Sequence, residues 1–290
     1  MKRSMLISGM IISSLSLFAQ NTSNTAGQPS VRLYVFDGGI LENMDPKSFG
    51  LKNEEVSTTR MSAPCYLITH PKGTLMWDTG SVPDTAWTYT GSPVQYTFME
   101  DDYRQDITLN KPLMLQLKAV GYPPANITYL ALSHKHFDHI ANANDFVNAT
   151  WLVRQNELDD MFPKDSAGVE KPSNYPHLRN NKRIILDTDE FDVFGDGTVI
   201  IKSAPGHTVG HQVLFVRLSK HGNIILSGDL YHFPEQRPLN RFPGREFNQE
   251  QSRDSRLTID LYLKKMNAEL WIQHDFAANL KLRKAPEYYE

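Results

Sequence analysis

The stretch Ser133–His139, "SHKHFDH", constrains this chain more than any other feature, because it sets three of ten histidines and an aspartate within seven positions. A packed apolar core gains nothing from such a cluster, since imidazoles and carboxylates lose hydration on burial and then need partners. A solvated surface tolerates the cluster without requiring it. A bound metal ion requires it. In an extended segment side chains repeat every two residues, so His134 and His136 point the same way and reach one ion. Asp138 and His139 follow at the bend into the next helix and face a second ion.

Three further sites share a pattern with the first. "GHTVGH" carries His207 in a glycine-bounded turn, "SGDLYH" carries Asp229 after the strand-like "NIILS", and "LWIQHD" carries His274 after "LWI". Each puts a metal-capable side chain just past a predicted strand, where loops on a rigid scaffold usually hold the chemistry. Five histidines and two aspartates suit two zinc ions. The reading gives His134, His136 and His207 to the first ion and Asp138, His139 and His274 to the second, with Asp229 bridging through one oxygen on each. Each ion then keeps an open position, and a hydroxide shared between them near neutral pH is the expected nucleophile. His211, four residues after His207, is expected to support the site by hydrogen bonding, whereas His70, His177 and His221 read as structural or surface residues.

Around these sites, short β-branched or apolar runs alternate with helical stretches. Strands are predicted at 31–36, 65–69, 74–77, 127–132, 150–153, 183–186, 198–202, 213–218, 223–226 and 270–272. Helices are predicted over 111–120, from 156, and over 249–266, the last with an apolar stripe through Leu257, Leu261 and Met266. Residues 81–110 read as a long connection. Two similar halves of strands followed by helices predict an α+β domain of two packed sheets flanked by helices, spanning 31–290.

Residues 1–19 read as a secretory signal: Lys2 and Arg3 precede an apolar or small run of 14 residues from Met5 to Phe18, and Ala19 offers a cleavage position. That run is shorter than the roughly 20 residues that span a bilayer, so no stable membrane insertion is expected. Residues 20–30 read as a disordered leader, and export to the periplasm or medium follows. Formal charge is −3, without a basic stripe, which disfavours a nucleic-acid partner. Cys65 is the one cysteine, so no internal disulfide forms, and it reads as a buried small hydrophobe.

The series "HKHFDH", "GHTVGH", "SGD" and a late "QHD", with "MWDTG" at 76–80, resembles the metallo-β-lactamase superfamily. The resemblance implies a four-layer αβ/βα sandwich with a dimetal site at the sheet edge, and Asp78 supporting that site from behind. "SGD" supplies a bridging carboxylate that true zinc β-lactamases generally lack, which shifts weight toward esters and lactones. The stretch 31–80, the long connection and "SGDLYHFPEQRPLNR" look most like the N-acyl-homoserine lactonase branch, the quorum-quenching enzymes. That resemblance implies opening of a lactone ring, with Asp138 protonating the leaving oxygen. It also implies that Tyr231, two residues after Asp229, hydrogen-bonds the substrate. Trp87, Tyr89, Tyr96 and Phe98 either line an acyl channel, pack the connection onto the body, or form a homodimer contact. Two other readings stay open: an arylesterase or organophosphate hydrolase on the same site, and a non-catalytic zinc-binding protein.

Overall fold

The computed structural model describes residues 30–164 and 175–290; the predicted signal and nearly all of the predicted leader lie outside them. In chain order the elements are β1 (Arg32–Phe36), β2 (Ile40–Leu41), β3 (Met61–Ser62), β4 (Cys65–His70), β5 (Gly73–Trp77), β6 (Val94–Glu100), β7 (Tyr103–Leu109) and α1 (Leu113–Ala119). There follow β8 (Tyr129–Ala131), α2 (Phe137–Ile140), β9 (Thr150–Val153), α3 (Gln155–Met161), β10 (Arg183–Ile185), β11 (Glu190–Asp192), β12 (Val199–Ser203), β13 (Gln212–Leu218) and β14 (Gly222–Leu226). The chain closes with α4 (Gln236–Leu239), α5 (Gln249–Met266), β15 (Ala268–Trp271) and α6 (Phe276–Asn279).

One sheet runs β1-β4-β5-β8-β9-β10 and a second runs β11-β12-β13-β14-β15. Their facing sides share one core, in which Leu33, Val35, Ile68, Leu75 and Trp77 of the first sheet meet Val199, Ile201, Leu214, Val216 and Ile224 of the second. The outer face of the first sheet packs on Leu113 and Leu117 of α1, Ile140 of α2 and Leu158 of α3. The outer face of the second, through Val213, Phe215 and Ile225, packs on Ile259, Tyr262 and Leu263 of α5. The order is therefore helix, sheet, sheet, helix, the four-layer sandwich expected. Cys65 is wholly buried, as expected of a small hydrophobe. Among the described residues no helix is long and apolar enough to cross a membrane.

Two expectations fail. The segment 81–110 is not a plain connection: it folds into the antiparallel pair β6–β7, which joins β2 and β3 in a third, four-stranded sheet. Val94, Tyr96 and Phe98 alternate onto its inner side, a period-2 pattern that polar residues between them hide in composition. The stripe on α5 is also misread: Leu257 and Leu261 are 61% and 59% exposed. The buried face is Ser252, Ser255, Arg256, Ile259, Tyr262 and Leu263, because Arg256 and the two serines spend their polar atoms on carbonyls and a carboxylate of the body.

Candidate metal centre

β8 ends at Ala131 and delivers Ser133–His136 to the sheet edge, and α2 then turns Asp138 and His139 inward. β12 and β13 flank the turn that carries His207, β14 runs into the 3-10 turn Gly228–Leu230 that carries Asp229, and β15 leads to His274. The turn at Gly228 needs glycine: its φ is +48°, and a Cβ there would lie 2.7 Å from His211 Nε2 and 2.8 Å from Ser133 Cβ.

The side chains converge as two groups. His134, His136, His207 and Asp229 present donor atoms within 4.8 Å of one another, and so do Asp138, His139 and His274. Asp229 joins the groups through separate oxygens. Its Oδ1 lies 3.0 Å from His139 Nε2 and 2.9 Å from His274 Nε2, and its Oδ2 lies 3.2 Å from His207 Nε2 and 3.5 Å from His134 Nε2. Asp138 Oδ2 stands 3.5 Å from His274 Nε2.

The outer atoms of these rings decide what the inner atoms are. His139 Nδ1 donates to Asp78 Oδ2 at 2.9 Å, and His274 Nδ1 donates to the Ser62 carbonyl at 2.7 Å. Ser133 Oγ donates to Asp78 Oδ2 at 2.9 Å, which leaves that oxygen to accept from His134 Nδ1 at 3.1 Å. With Nδ1 protonated, each of these rings turns the lone pair of Nε2 inward. His134 Nε2 then lies 2.9 Å from His136 Nδ1, which lies 2.9 Å from His207 Nε2. Buried acceptors facing one another at such distances repel unless a cation or a proton sits among them. His139 Nε2 and Asp229 Oδ1 have no hydrogen-bond partner of acceptable geometry, although both are buried. Imidazole nitrogens and carboxylate oxygens at these spacings fit the edges of tetrahedra with metal–ligand bonds of about 2.0–2.2 Å. The donor set fits two divalent cations.

Protonation follows the same logic. Burial holds His134 and His136 well below the ordinary imidazole pKa, with neighbouring imidazoles adding to it. Burial also opposes a proton on His139, but the carboxylates of Asp229, Asp138 and Asp78 outweigh it and raise this ring well above the ordinary value. Asp229 is held well below the carboxylate range: burial opposes ionisation, and the surrounding imidazoles, His274 first, overcome it. His211 has another place: its Nδ1 donates to the Ala204 carbonyl at 2.8 Å, and its Nε2 accepts from the Asp229 amide at 2.9 Å. Burial, then His207, pushes its pKa down to about 3, so it is a neutral strut.

Three contributors escaped the sequence reading. Gln273 Nε2 donates to Asp78 Oδ2 at 2.8 Å and to the Pro64 carbonyl at 2.9 Å. Glu157, buried, accepts from the amides of Lys135 at 2.9 Å and Gly210 at 2.8 Å and from the Thr208 hydroxyl, so it ties the first histidine loop to the second. Burial raises its pKa. His232 lines the cavity beside Asp229, and its signal was the imidazole that ends "SGDLYH".

A cavity of about 520 Å³ opens over the groups and reaches His136, Asp138, His207, Asp229 and His274. Its sides include Leu41, Met44, Phe49, Met61, Tyr103 and Phe137. Tyr231 does not line it. The side chain is 3% exposed and packs in the α5 core, with the Arg256 guanidinium 4.4 Å above its ring. The 3-10 turn ends at Leu230 and Tyr231 is extended, where neighbouring side chains take opposite sides, so Tyr231 points into the α5 core and the next residue, His232, lines the cavity with Asp229. Nor do Trp87, Tyr89, Tyr96 and Phe98 line it; the packing alternative describes them. Trp87, Tyr96 and Phe98 pack in the cluster beneath the third sheet, Tyr89 meets Trp87 edge-on at 5.8 Å, and Phe98 stacks 3.9 Å behind Phe137. Tyr103, at the turn of the same hairpin, takes the lining position, and burial, then Asp138, pushes its phenol up to about 12. His70, His177 and His221 lie outside both groups.

Two sheets between helices, with acceptor groups converging at one edge beneath a half-apolar cavity, define a hydrolase-type metal scaffold. The chain belongs to the metallo-beta-lactamase superfamily, whose family model matches residues 58–270. It is 30% identical over 268 residues to the N-acyl homoserine lactonase AttM of Azorhizobium caulinodans, covering 90% of this chain and 99% of that protein. It is also 30% identical over 224 residues to the N-acyl homoserine lactonase AiiA of Bacillus thuringiensis subsp. kurstaki, covering 77% and 85%. Among solved structures, an N-acyl homoserine lactone hydrolase with N-hexanoyl-L-homoserine bound at its catalytic metal center superposes with a TM-score of 0.67 at 25% identity, covering 89% of this chain and 99% of that one.

Proposed function

We propose that this protein opens the ring of N-acyl-L-homoserine lactones on a pair of divalent cations, zinc being the metal that its imidazole and carboxylate donors suit best. The observation that carries the reading is the set of inward lone pairs whose ring hydrogens are committed elsewhere. His134, His136 and His207 would hold one ion and Asp138, His139 and His274 the other, with a separate oxygen of Asp229 available to each group. Two bound cations supply Lewis acidity, polarising an ester carbonyl and making water nucleophilic near neutral pH.

The chain's own groups supply the rest. Leu41, Met44, Phe49 and Phe137 give an apolar side for an acyl tail and exclude water from it. The phenol of Tyr103 stays protonated and offers a donor to a substrate carbonyl. Asp138, at the cavity floor, is placed to take the proton given up by the attacking water and pass it to the departing ring oxygen. The volume accommodates a five-membered lactone with its amide and a tail.

The test is hydrolysis of homoserine lactones with graded tails, followed by product mass, with and without a chelator. Ring opening that stops on chelation, and that His136→Ala lowers by more than about 100-fold, supports the reading, on the scale that outer partners alone cost 10–100-fold. Preference for aryl or phosphate esters over every lactone overturns it in favour of an esterase. The same reading includes export, supported by the basic, apolar and small pattern of residues 1–19; a mature protein retaining Met1 in the cell envelope fraction removes that part.

A further inference from the structure

We infer that Glu157 is a positioning residue for one ion of the pair: its carboxylate brackets the two loops that carry His134, His136 and His207, and sets how firmly that ion is kept without setting the other. The inference rests on the dimetal reading above. Glu157 is 4% exposed and is not among the mutually close donor atoms of either metal group. It works through the chain next to the ligands. Its Oε1 accepts from the Lys135 amide at 2.9 Å, and Lys135 stands between His134 and His136. Its Oε2 accepts from the Gly210 amide at 2.8 Å. The Thr208 hydroxyl, next to His207, lies 2.9 Å from Oε1 and 2.8 Å from Oε2. One buried carboxylate is thus bonded to an immediate neighbour of each of the three histidines.

The bracket is built at close range. The first turn of α3 also presents Asn156, whose Nδ2 donates to the Val209 carbonyl at 2.7 Å and whose Oδ1 accepts from the Glu157 amide at 3.0 Å. A Cβ on Gly210 would lie 2.5 Å from Glu157 Cβ and 2.8 Å from Asn156 Oδ1, so the turn reaches the carboxylate because residue 210 has no side chain. The second group is held by other atoms: His139 by Asp78, His274 by the Ser62 carbonyl, and Asp78 by Gln273. None of these bonds involves Glu157. Removing its carboxylate takes the acceptor from the Lys135 and Gly210 amides and unties the first histidine loop from the second. The spacing that suffers is that of His136 Nδ1 and His207 Nε2, 2.9 Å apart, which lie on opposite sides of the bracket.

The experiment titrates the purified zinc-loaded protein with a chromogenic chelator and counts the ions released, for wild type, Glu157→Ala, Glu157→Gln and Leu33→Ala. Anomalous scattering from crystals of the half-depleted protein shows which position has emptied. Leu33 is wholly buried between the two sheets, so its truncation controls for lost stability alone. Glu157→Ala is expected to give up one ion at a chelator concentration about tenfold or more below that for wild type, and the other ion as wild type does. The emptied position is expected among His134, His136 and His207. Glu157→Gln keeps one accepting oxygen of the two and should give up the same ion at an intermediate concentration. Release as in wild type, loss of both ions together, an emptied position among Asp138, His139 and His274, or an equal one-ion loss from Leu33→Ala overturns the inference. Should Glu157→Ala not fold, Glu157→Gln decides on the same criteria. A wild type that holds no ion overturns the dimetal reading itself, which keeps the two failures distinct.

Discussion

The floor and the side of the cavity are built by opposite rules. On the floor chemistry sets orientation: His134, His139 and His274 turn lone pairs inward because Ser133, Asp78 and Ser62 take their ring hydrogens from behind. The side is a matter of shape, assembled from Leu41 to Phe49, Met61, Phe137 and the β6–β7 turn at Tyr103, which many apolar combinations could replace. Function type resides in the first region, and the choice of substrate tail resides in the second.

The sharpest way to break this contrast is to exchange the outcomes of two substitutions. Asp229→Ala leaves buried imidazoles without their shared counter-charge, and it is expected to abolish ion retention and lower lactone hydrolysis by more than about 100-fold. Phe98→Ala removes the ring stacked 3.9 Å behind Phe137. It is expected to raise KM for long-tailed substrates by about tenfold, with metal content unchanged. Metal analysis and kinetics across tail lengths check both, and ion loss in Phe98→Ala would erase the distinction.

The same contrast exists within α5. Ile259 is wholly buried against the second sheet, so Ile259→Ala is expected to cost about 2–4 kcal/mol of stability. Leu257, 61% exposed, should lose less than about 0.5 kcal/mol on the same change. Urea denaturation of the two variants measures the difference directly.

The smallest expected effect lies far from the site. Burial pushes Lys284 down to about 8, with Asp37 opposing, while its Nζ donates to Asn279 Oδ1 at 2.7 Å. A lysine depressed in the fold binds fewer protons there than in the unfolded chain between about pH 8 and its ordinary value of 10.5. Stability rises with pH wherever the unfolded chain binds more protons. The native protein should therefore gain stability relative to Lys284→Met as pH climbs through that window, and lose the advantage below it. Denaturant midpoints at pH 7.5, 8.5 and 9.5 (chosen as about one per unit of the window) give the slope, and parallel curves refute it.

Much of the fold and floor was legible because the signals are local. Strand-like runs of β-branched residues end at each metal-capable side chain, and the spacing His134, His136, Asp138, His139 carries its geometry within seven residues. Tyr231 was misplaced because distance along the chain does not give direction: the chain is extended just past the Gly228–Leu230 turn, so Tyr231 enters the core and the next residue, His232, reaches the cavity. The hairpin at 94–109 was missed because polar residues alternate with its inward aromatics. The faces of α5 were reversed because an arginine and two serines that find partners in the body can be buried, and leucines left without a neighbour stay outside.

The amino-acid sequence by itself determined the donor set, the four-layer scaffold that delivers it and the class of chemistry, since each depends on residue type and short-range periodicity. Only the tertiary structure decided which nitrogen of each ring faces inward, which side chains surround the substrate, and that His232 stands beside Asp229. Those outcomes depend on partners from distant segments meeting across the sheet edge, and no local pattern encodes who will be standing behind a given ring.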